Sequence, residues 1–238
     1  MKIIILILLS LSMCSCAVNY HMHDNHFETP ETTGAYGKVA AIMGVGNGKK
    51  IELTPDYTYT WASTQNPKIV SEGFFTAGGT LGLQPDIDLG LSYISNLGVV
   101  LKGKYQALGK RGEVGPQVAG VLEIGGANEE KNESTNSMKL ENSMYGANLI
   151  AGYRFGVYFL SYFSIFRDNA KYDLKQTKAS ITQSFKGDSS NTGAAVGVEL
   201  DLTPSAGFIL EFTRAKADSA NSKIYTSSFG GTLNILLF

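Results

Sequence analysis

His21, His23 and His26 are the only imidazoles in the 238-residue chain, and they stand two and three positions apart beside Asp24. Neutral imidazole is a good ligand for Cu(II), Ni(II) or Zn(II), so the tract offers a small site for such an ion. Short histidine-containing stretches are more commonly solvated linkers, and no metal or other cofactor is assigned on this spacing alone. A second grouping with chemical capacity is acidic. Glu199 and Asp201 are separated by one residue, which on a strand would set their side chains on the same face about 7 Å apart, within reach of acid–base work. Asp88, Glu123 and Glu211 accompany them, against Lys102, Lys104 and Arg154. Mutual neutralisation in a polar interior accounts for these charges more simply than catalysis does. The two cysteines, Cys14 and Cys16, stand two positions apart behind an aliphatic run at the N-terminus.

These charges sit in segments that alternate strictly. In IDLGLSYI (87–94), Ile87, Leu89, Leu91 and Tyr93 share one face, and Asp88 and Ser92 the other. In LGVVLKGKYQAL (97–108), Leu97, Val99, Leu101 and Tyr105 oppose Lys102, Lys104 and Gln106. Glu123 opposes Leu122 and Ile124, Arg154 falls opposite Leu149, Ala151 and Tyr153, and Glu199 and Asp201 oppose Val196, Val198, Leu200 and Leu202. The apolar faces contain many small residues and glycines, where a sandwich core would need Val, Ile or Phe. Tyr93, Tyr105, Tyr153 and Phe155 lie near segment ends, where interfacial aromatic girdles belong. About ten such segments run from residue 36 to 238, with 8 or 12 as alternatives, in one compositional regime from Gly34 onward; 51–59 and 172–185 are either extra strands or hairpins rising above the bilayer, or part of the polar links. The formal net charge of −1 shows no footprint for nucleic acid and no polybasic patch for a membrane surface.

The N-terminal run IIILILLSL (3–11) is too short for a bilayer-spanning helix, which needs ~20 residues. It reads as the core of a signal peptide, and with Met13 and Ser15 ahead of Cys16 it resembles a bacterial lipoprotein signal. That resemblance implies a signal peptide over 1–15, acylation of Cys16, and a lipid-anchored flexible tether over 16–33. Ala17 leaves the outer membrane open as the destination.

Short links at 83–86, 154–156 and 203–207 alternate with long polar ones at 47–69, 126–142 and 168–190, and the chain ends in Phe238. With the alternation, this resembles a Gram-negative outer-membrane β-barrel: all-β, antiparallel, up-and-down and transmembrane, over residues 34–238. One departure is that Asn234 falls in register with Phe238, opposite the apolar set Phe229, Leu233, Ile235 and Leu237. The resemblance implies outer-membrane lipid and lipopolysaccharide as surroundings, insertion by the barrel-assembly machinery, and an N-terminus anchored on the periplasmic side. Known barrel enzymes of this compartment use a barrel-borne His, and residues 34–238 contain none, so no catalytic residue is expected. A structural or surface-interaction role follows. The alternatives are a narrow transport barrel and a periplasmic, lipid-anchored β-domain that binds a ligand. Trp61, with Tyr57 and Tyr59, is a possible contact for an unknown extracellular ligand; 126–142 is acidic and 167–189 basic. The inward charges are expected to pair across the lumen, Lys102 or Lys104 with Glu123 and Arg154 with Glu199 or Asp201, closing it.

Overall fold

Where bulky apolar and polar residues alternate, an extended backbone buries one set and presents the other, and this pattern produces eleven strands and no helix among the described residues. The computed structural model describes residues 18–53, 68–95, 97–133, 136–178, 181–220 and 222–237. The expected signal peptide 1–15, Cys16, Tyr57, Tyr59, Trp61 and Phe238 lie outside them. The strands are β1 (Val18–His23), β2 (Val39–Leu53), β3 (Lys68–Gln84), β4 (Ile87–Ile94), β5 (Gly98–Leu108), β6 (Gly115–Glu133), β7 (Asn136–Arg154), β8 (Phe159–Lys178), β9 (Ile181–Thr203), β10 (Ala206–Ser219) and β11 (Ser222–Leu236).

From β2 to β11 each strand pairs antiparallel with the next, and β11 returns to β2 through six residue pairs, Gly231↔Val45 to Leu236↔Ala40. The result is a closed ten-stranded barrel, with β1 as an additional strand on β2. Closure pairs the two edges that an open sheet would leave unsatisfied, as a strand-built membrane protein requires. Leu91, Tyr93, Tyr105, Leu122, Leu149 and Phe163 point outward and are exposed, whereas Asp88, Lys102, Glu123, Arg154 and Glu199 point inward and are buried. On β7 the outward aromatics Tyr145 and Tyr153 bracket Leu149. Their eight-residue separation is about 27 Å along a strand, on the scale of the ~25 Å apolar band of a membrane barrel.

Where they are described, the long polar links are strand rather than loop. β6 and β7 stay paired from Gly115↔Arg154 to Glu133↔Asn136, and β8 and β9 from Phe159↔Leu200 to Lys178↔Ile181. β9 has 23 residues, against the ~9–11 that cross a bilayer, so these hairpins rise far beyond the apolar belt. Alternation continues there with its sense reversed. Met138 and Leu140 face inward while Lys139 and Glu141 face out; Tyr172 and Leu174 face inward while Lys171 and Lys175 face out. A wall standing in water needs a polar exterior, which is why a search for apolar exteriors reads these stretches as loops.

The described part of the expected tether, residues 18–33, is not a flexible linker. It is almost wholly buried and runs inside the barrel. β1 pairs with the upper half of β2, Val18↔Leu53 to His23↔Gly48. Its Val18, Tyr20 and Met22 pack on Ile51, Leu53, Met138, Leu140, Tyr172 and Leu174 in an apolar core enclosed by the hairpins. Residues 24–33 then descend the lumen to the short-turn end, where β2 begins. Both chain ends are expected at the short-turn end, and β11 does finish there, but Val18 stands at the hairpin end. The antiparallel pairing of β1 with β2 forces this, because β2 itself climbs toward the hairpins.

Candidate functional site in the barrel lumen

The lumen segment is fastened at every level by the wall residues whose alternation turned them inward. Nearest the short turns, Asp88 of β4 accepts from both the Thr33 backbone N–H and the Thr33 hydroxyl, each at 2.8 Å. Gln106 of β5 accepts from the Thr32 N–H and hydroxyl at 3.0 and 2.9 Å. Arg154 of β7, 1% exposed, grips Glu31 with Nε at 2.5 Å and Nη2 at 2.9 Å and reaches Asp201 of β9 with Nη1 at 2.7 Å. This two-pronged contact exploits the planar fork of guanidinium. Glu199 lies farther off, 3.9 Å from Arg154 Nη2. One level up, Glu28 sits between Lys102 at 3.1 Å and Lys104 at 2.7 Å, both on β5.

Above these, Glu211 of β10 accepts the backbone N–H groups of His26 (2.9 Å) and Phe27 (3.2 Å) and the Tyr162 hydroxyl (3.1 Å). Phe27 has φ 54°, a region costly for a bulky side chain, and persists only because its surroundings over-determine it. Glu211 fixes the N–H, and the Phe27 ring lodges against Gly46 and Gly230, where any Cβ would meet it below van der Waals distance. Higher still, Asp24 pairs with Lys49, accepts from Asn191 Nδ2 at 3.0 Å and accepts from the Thr226 hydroxyl at 2.8 Å. At the hairpin end the Tyr20 hydroxyl bonds Ser189 and Ser219, and burial pushes its pKa up to about 12.

The three histidines separate into two environments. His21 lies 3.3 Å from Glu72, and burial lowers its pKa below the ordinary imidazole value. His23 and His26 instead enter the lumen and converge on Glu123 of β6, with Asp168 of β8 behind His26. The argument from a His-free barrel therefore fails on the fold: residues 34–238 lack histidine, but the segment before them brings two into the interior. His23, His26 and Glu123 are the group among the described residues that could hold a metal ion.

The inward charges pair mainly with this segment and only in part with one another across the lumen. Lys102 is 3.8 Å from Glu123 and Arg154 bonds Asp201, but the nearest acidic partners of Lys102 and Lys104 belong to Glu28, and Arg154's closest is Glu31. Lys49, Glu28, Glu31, Phe27 and Asn191 carry no role in the sequence pattern, and Asp168 figures there only as a charge of the link 167–189. The signal that could have found them is charge complementarity: Asp24, Glu28 and Glu31 are spaced along one segment and meet Lys49, Lys102 with Lys104, and Arg154 in turn.

Closure, an even number of antiparallel strands, an apolar exterior with aromatic rims and a charged interior define a transmembrane β-barrel of the outer-membrane kind. Among solved structures, the chain is similar to Ail, the attachment invasion locus protein of Yersinia pestis, at 12% identity and TM-score 0.38, covering 84% of this chain and 99% of that one. It is similar to Neisserial surface protein A at 11% identity and TM-score 0.40, covering 86% and 99%. It is also similar to the outer membrane protease OmpT of Escherichia coli at 9% identity and TM-score 0.42, covering 84% and 94%. No family model matches the chain, and no curated protein matches it. At these scores the likeness carries no weight of its own, and the class rests on the strand pairing and the distribution of charge described above.

Proposed function

We propose that this protein is an outer-membrane barrel with its lumen closed by its own N-terminal segment, and that its role is structural or one of surface interaction rather than transport or catalysis. The observation that carries this reading is the run from Val18 to Thr33 through the interior, buried except for the half-buried Asn19, His21 and Glu28 and bonded to the wall at each level. A ten-stranded barrel is only slightly wider than the eight-stranded kind that side chains fill, so one extended segment suffices to occupy it. The surfaces left for partners are the tall hairpins β6–β7 and β8–β9, acidic and basic respectively. Outer-membrane lipid and lipopolysaccharide would surround the apolar belt, and the barrel-assembly machinery would insert it. Of the acid–base-capable residues of the lumen, Asp88 and Glu211 are occupied by the segment's Thr33, His26 and Phe27, and Asp201 by Arg154, which supports a non-catalytic role.

Purified protein in planar bilayers is expected to show no stable, wide conductance, and steady channels at nanosiemens scale would overturn the closed lumen. Membrane fractions are expected to keep the protein through carbonate washing and to show heat-modifiable migration. Release by carbonate would favour the tethered periplasmic domain instead.

A further inference from the structure

The His23–His26–Glu123 cluster is poorly explained as a set of ion pairs. His23 Nε2 and His26 Nδ1 stand 3.3 and 3.4 Å from the same oxygen, Glu123 Oε1, and the three donor atoms lie within 4.8 Å of one another. Charge-assisted N–H···O bonds draw in to roughly 2.7–2.9 Å, so these contacts are too wide to be good ones. The three side chains are 2%, 4% and 4% exposed, and neither ring nitrogen of either histidine nor either oxygen of Glu123 has a hydrogen-bond partner. Buried polar groups in native interiors are almost always satisfied, and so dense a group of exceptions calls for a missing partner.

The spacing identifies that partner. Bonds of about 2.0–2.2 Å to Zn(II) set tetrahedrally arranged N and O donors roughly 3.3–3.6 Å apart, which is the observed His23–Glu123 and His26–Glu123 separation. A ligating His26 Nδ1 also leaves Nε2–H facing away from the ion, toward Asp168 Oδ2 at 3.4 Å, which is fully buried, has no other hydrogen-bond partner and needs a shift of only about half an ångström to close the bond. A carboxylate behind a metal-bound imidazole is the usual device for fixing its tautomer and orientation. The second Glu123 oxygen is 3.8 Å from Lys102 Nζ, so the carboxylate keeps a cationic neighbour on the side away from the histidines.

We propose that His23, His26 and Glu123 form a buried Zn(II) centre, with Asp168 positioning His26, and that the ion ties the lumen segment to strand β6. Two ligands come from the segment and one from the wall, so the ion would hold the segment in its lumen position. Two imidazoles and a carboxylate suit zinc, and a water would complete four-coordination.

The test uses the full chain, isolated from outer membranes in detergent and also refolded from urea with and without ZnCl2, since a buried site exchanges slowly. Elemental analysis should find about one zinc per chain after removal of loosely held metal. The Co(II)-loaded protein should show the intense visible absorption of a four-coordinate site. His23→Ala and Glu123→Gln should weaken zinc binding at least 100-fold, Asp168→Asn should weaken it about 10–100-fold, and His21→Ala should leave it unchanged. Heat-modifiable migration of each variant confirms a folded barrel. A variant that fails that check is replaced by His26→Gln, for which the same loss is expected. Wild-type protein refolded with tens of micromolar ZnCl2 yet metal-free would overturn the proposal. So would a folded His23→Ala, Glu123→Gln or His26→Gln barrel that retains zinc with wild-type affinity, or loss on His21→Ala as large as on His23→Ala, which would place the ion beside His21 and Glu72 instead.

Discussion

Replacing Arg154 with Met removes a cation that bonds two carboxylates of the lumen, Glu31 and Asp201, while keeping much of its aliphatic volume. The side chains of Arg154, Glu31 and Glu199 are 1%, 0% and 0% exposed, so neither Glu31 nor Glu199 can recover its lost partner from water without a change in structure. Asp201, at 16%, can partly rehydrate. Breaking a buried ion pair by removing one member costs about 3–5 kcal/mol, and the partial exposure of Asp201 points to the lower end. The cheapest escape is local: residues 31–33 can leave their berth and carry Glu31 toward the short-turn opening with the strand ladder intact, giving up the bonds of Thr32 to Gln106 and of Thr33 to Asp88, whose groups meet water at that opening. At ~3 kcal/mol the undocked form rises about 100-fold, since each 1.4 kcal/mol is a factor of ten. The expected outcome is frequent short openings in planar bilayers where the wild type is silent, with faster cleavage within residues 24–38 by added protease. Glu31→Gln should have a smaller effect, because Arg154 keeps its 2.7 Å bond to Asp201. The double variant should be less destabilised than the sum of the two. An Arg154→Met protein with wild-type silence, protease resistance and melting, or strict additivity with Glu31→Gln, would refute the view that this pair docks the segment.

Changing Lys102 and Lys104 together to Ala strands Glu28, whose only salt-bridge partners among the described residues are those two lysines; the melting temperature should fall, and adding Glu28→Gln should recover part of the loss. Gly230→Ala places a Cβ 2.6 Å from the Phe27 ring, and overpacking of this kind should cost about 1–3 kcal/mol in denaturant melts, with part regained when Phe27→Leu is added. The strand topology puts Tyr36, 83% exposed, and Lys175 at opposite ends of the barrel. In intact cells a membrane-impermeant maleimide should label Lys175→Cys and should label Tyr36→Cys only after the outer membrane is opened, above the background of the parent protein; the reverse pattern would invert the barrel.

Alternation is a local property, and what depended on it was legible. Leu89, Leu91 and Tyr93 against Asp88 and Ser92 identify both faces of β4 without any knowledge of its neighbours, and repeating this along the chain yields the ten wall strands. Two things escaped because they are not local. The first is the full height of the wall, which the sequence offers only as an option at 51–59 and 172–185 and not at 126–142. Lys139–Leu140–Glu141 alternates as regularly as β4 does, but an apolar residue between charges signals a lipid-facing strand only when the apolar side is known to face out. Above the belt it faces a core built by β1, which is remote in sequence. The second is the destination of residues 18–33. Polar, rich in Asp, Glu and Thr, and without period over most of its length, this stretch has the composition of a solvated linker. It is ordered because the barrel supplies what water would otherwise supply: cations for Asp24, Glu28 and Glu31, acceptors for the His26 and Phe27 amides, and carboxylates for His23 and His26. A segment of this kind has no internal reason to hold its shape, so its pattern shows nothing. The evidence for it lay in the other half of the molecule, where inward lysines, an arginine and carboxylates implied partners that the wall alone provides only in part.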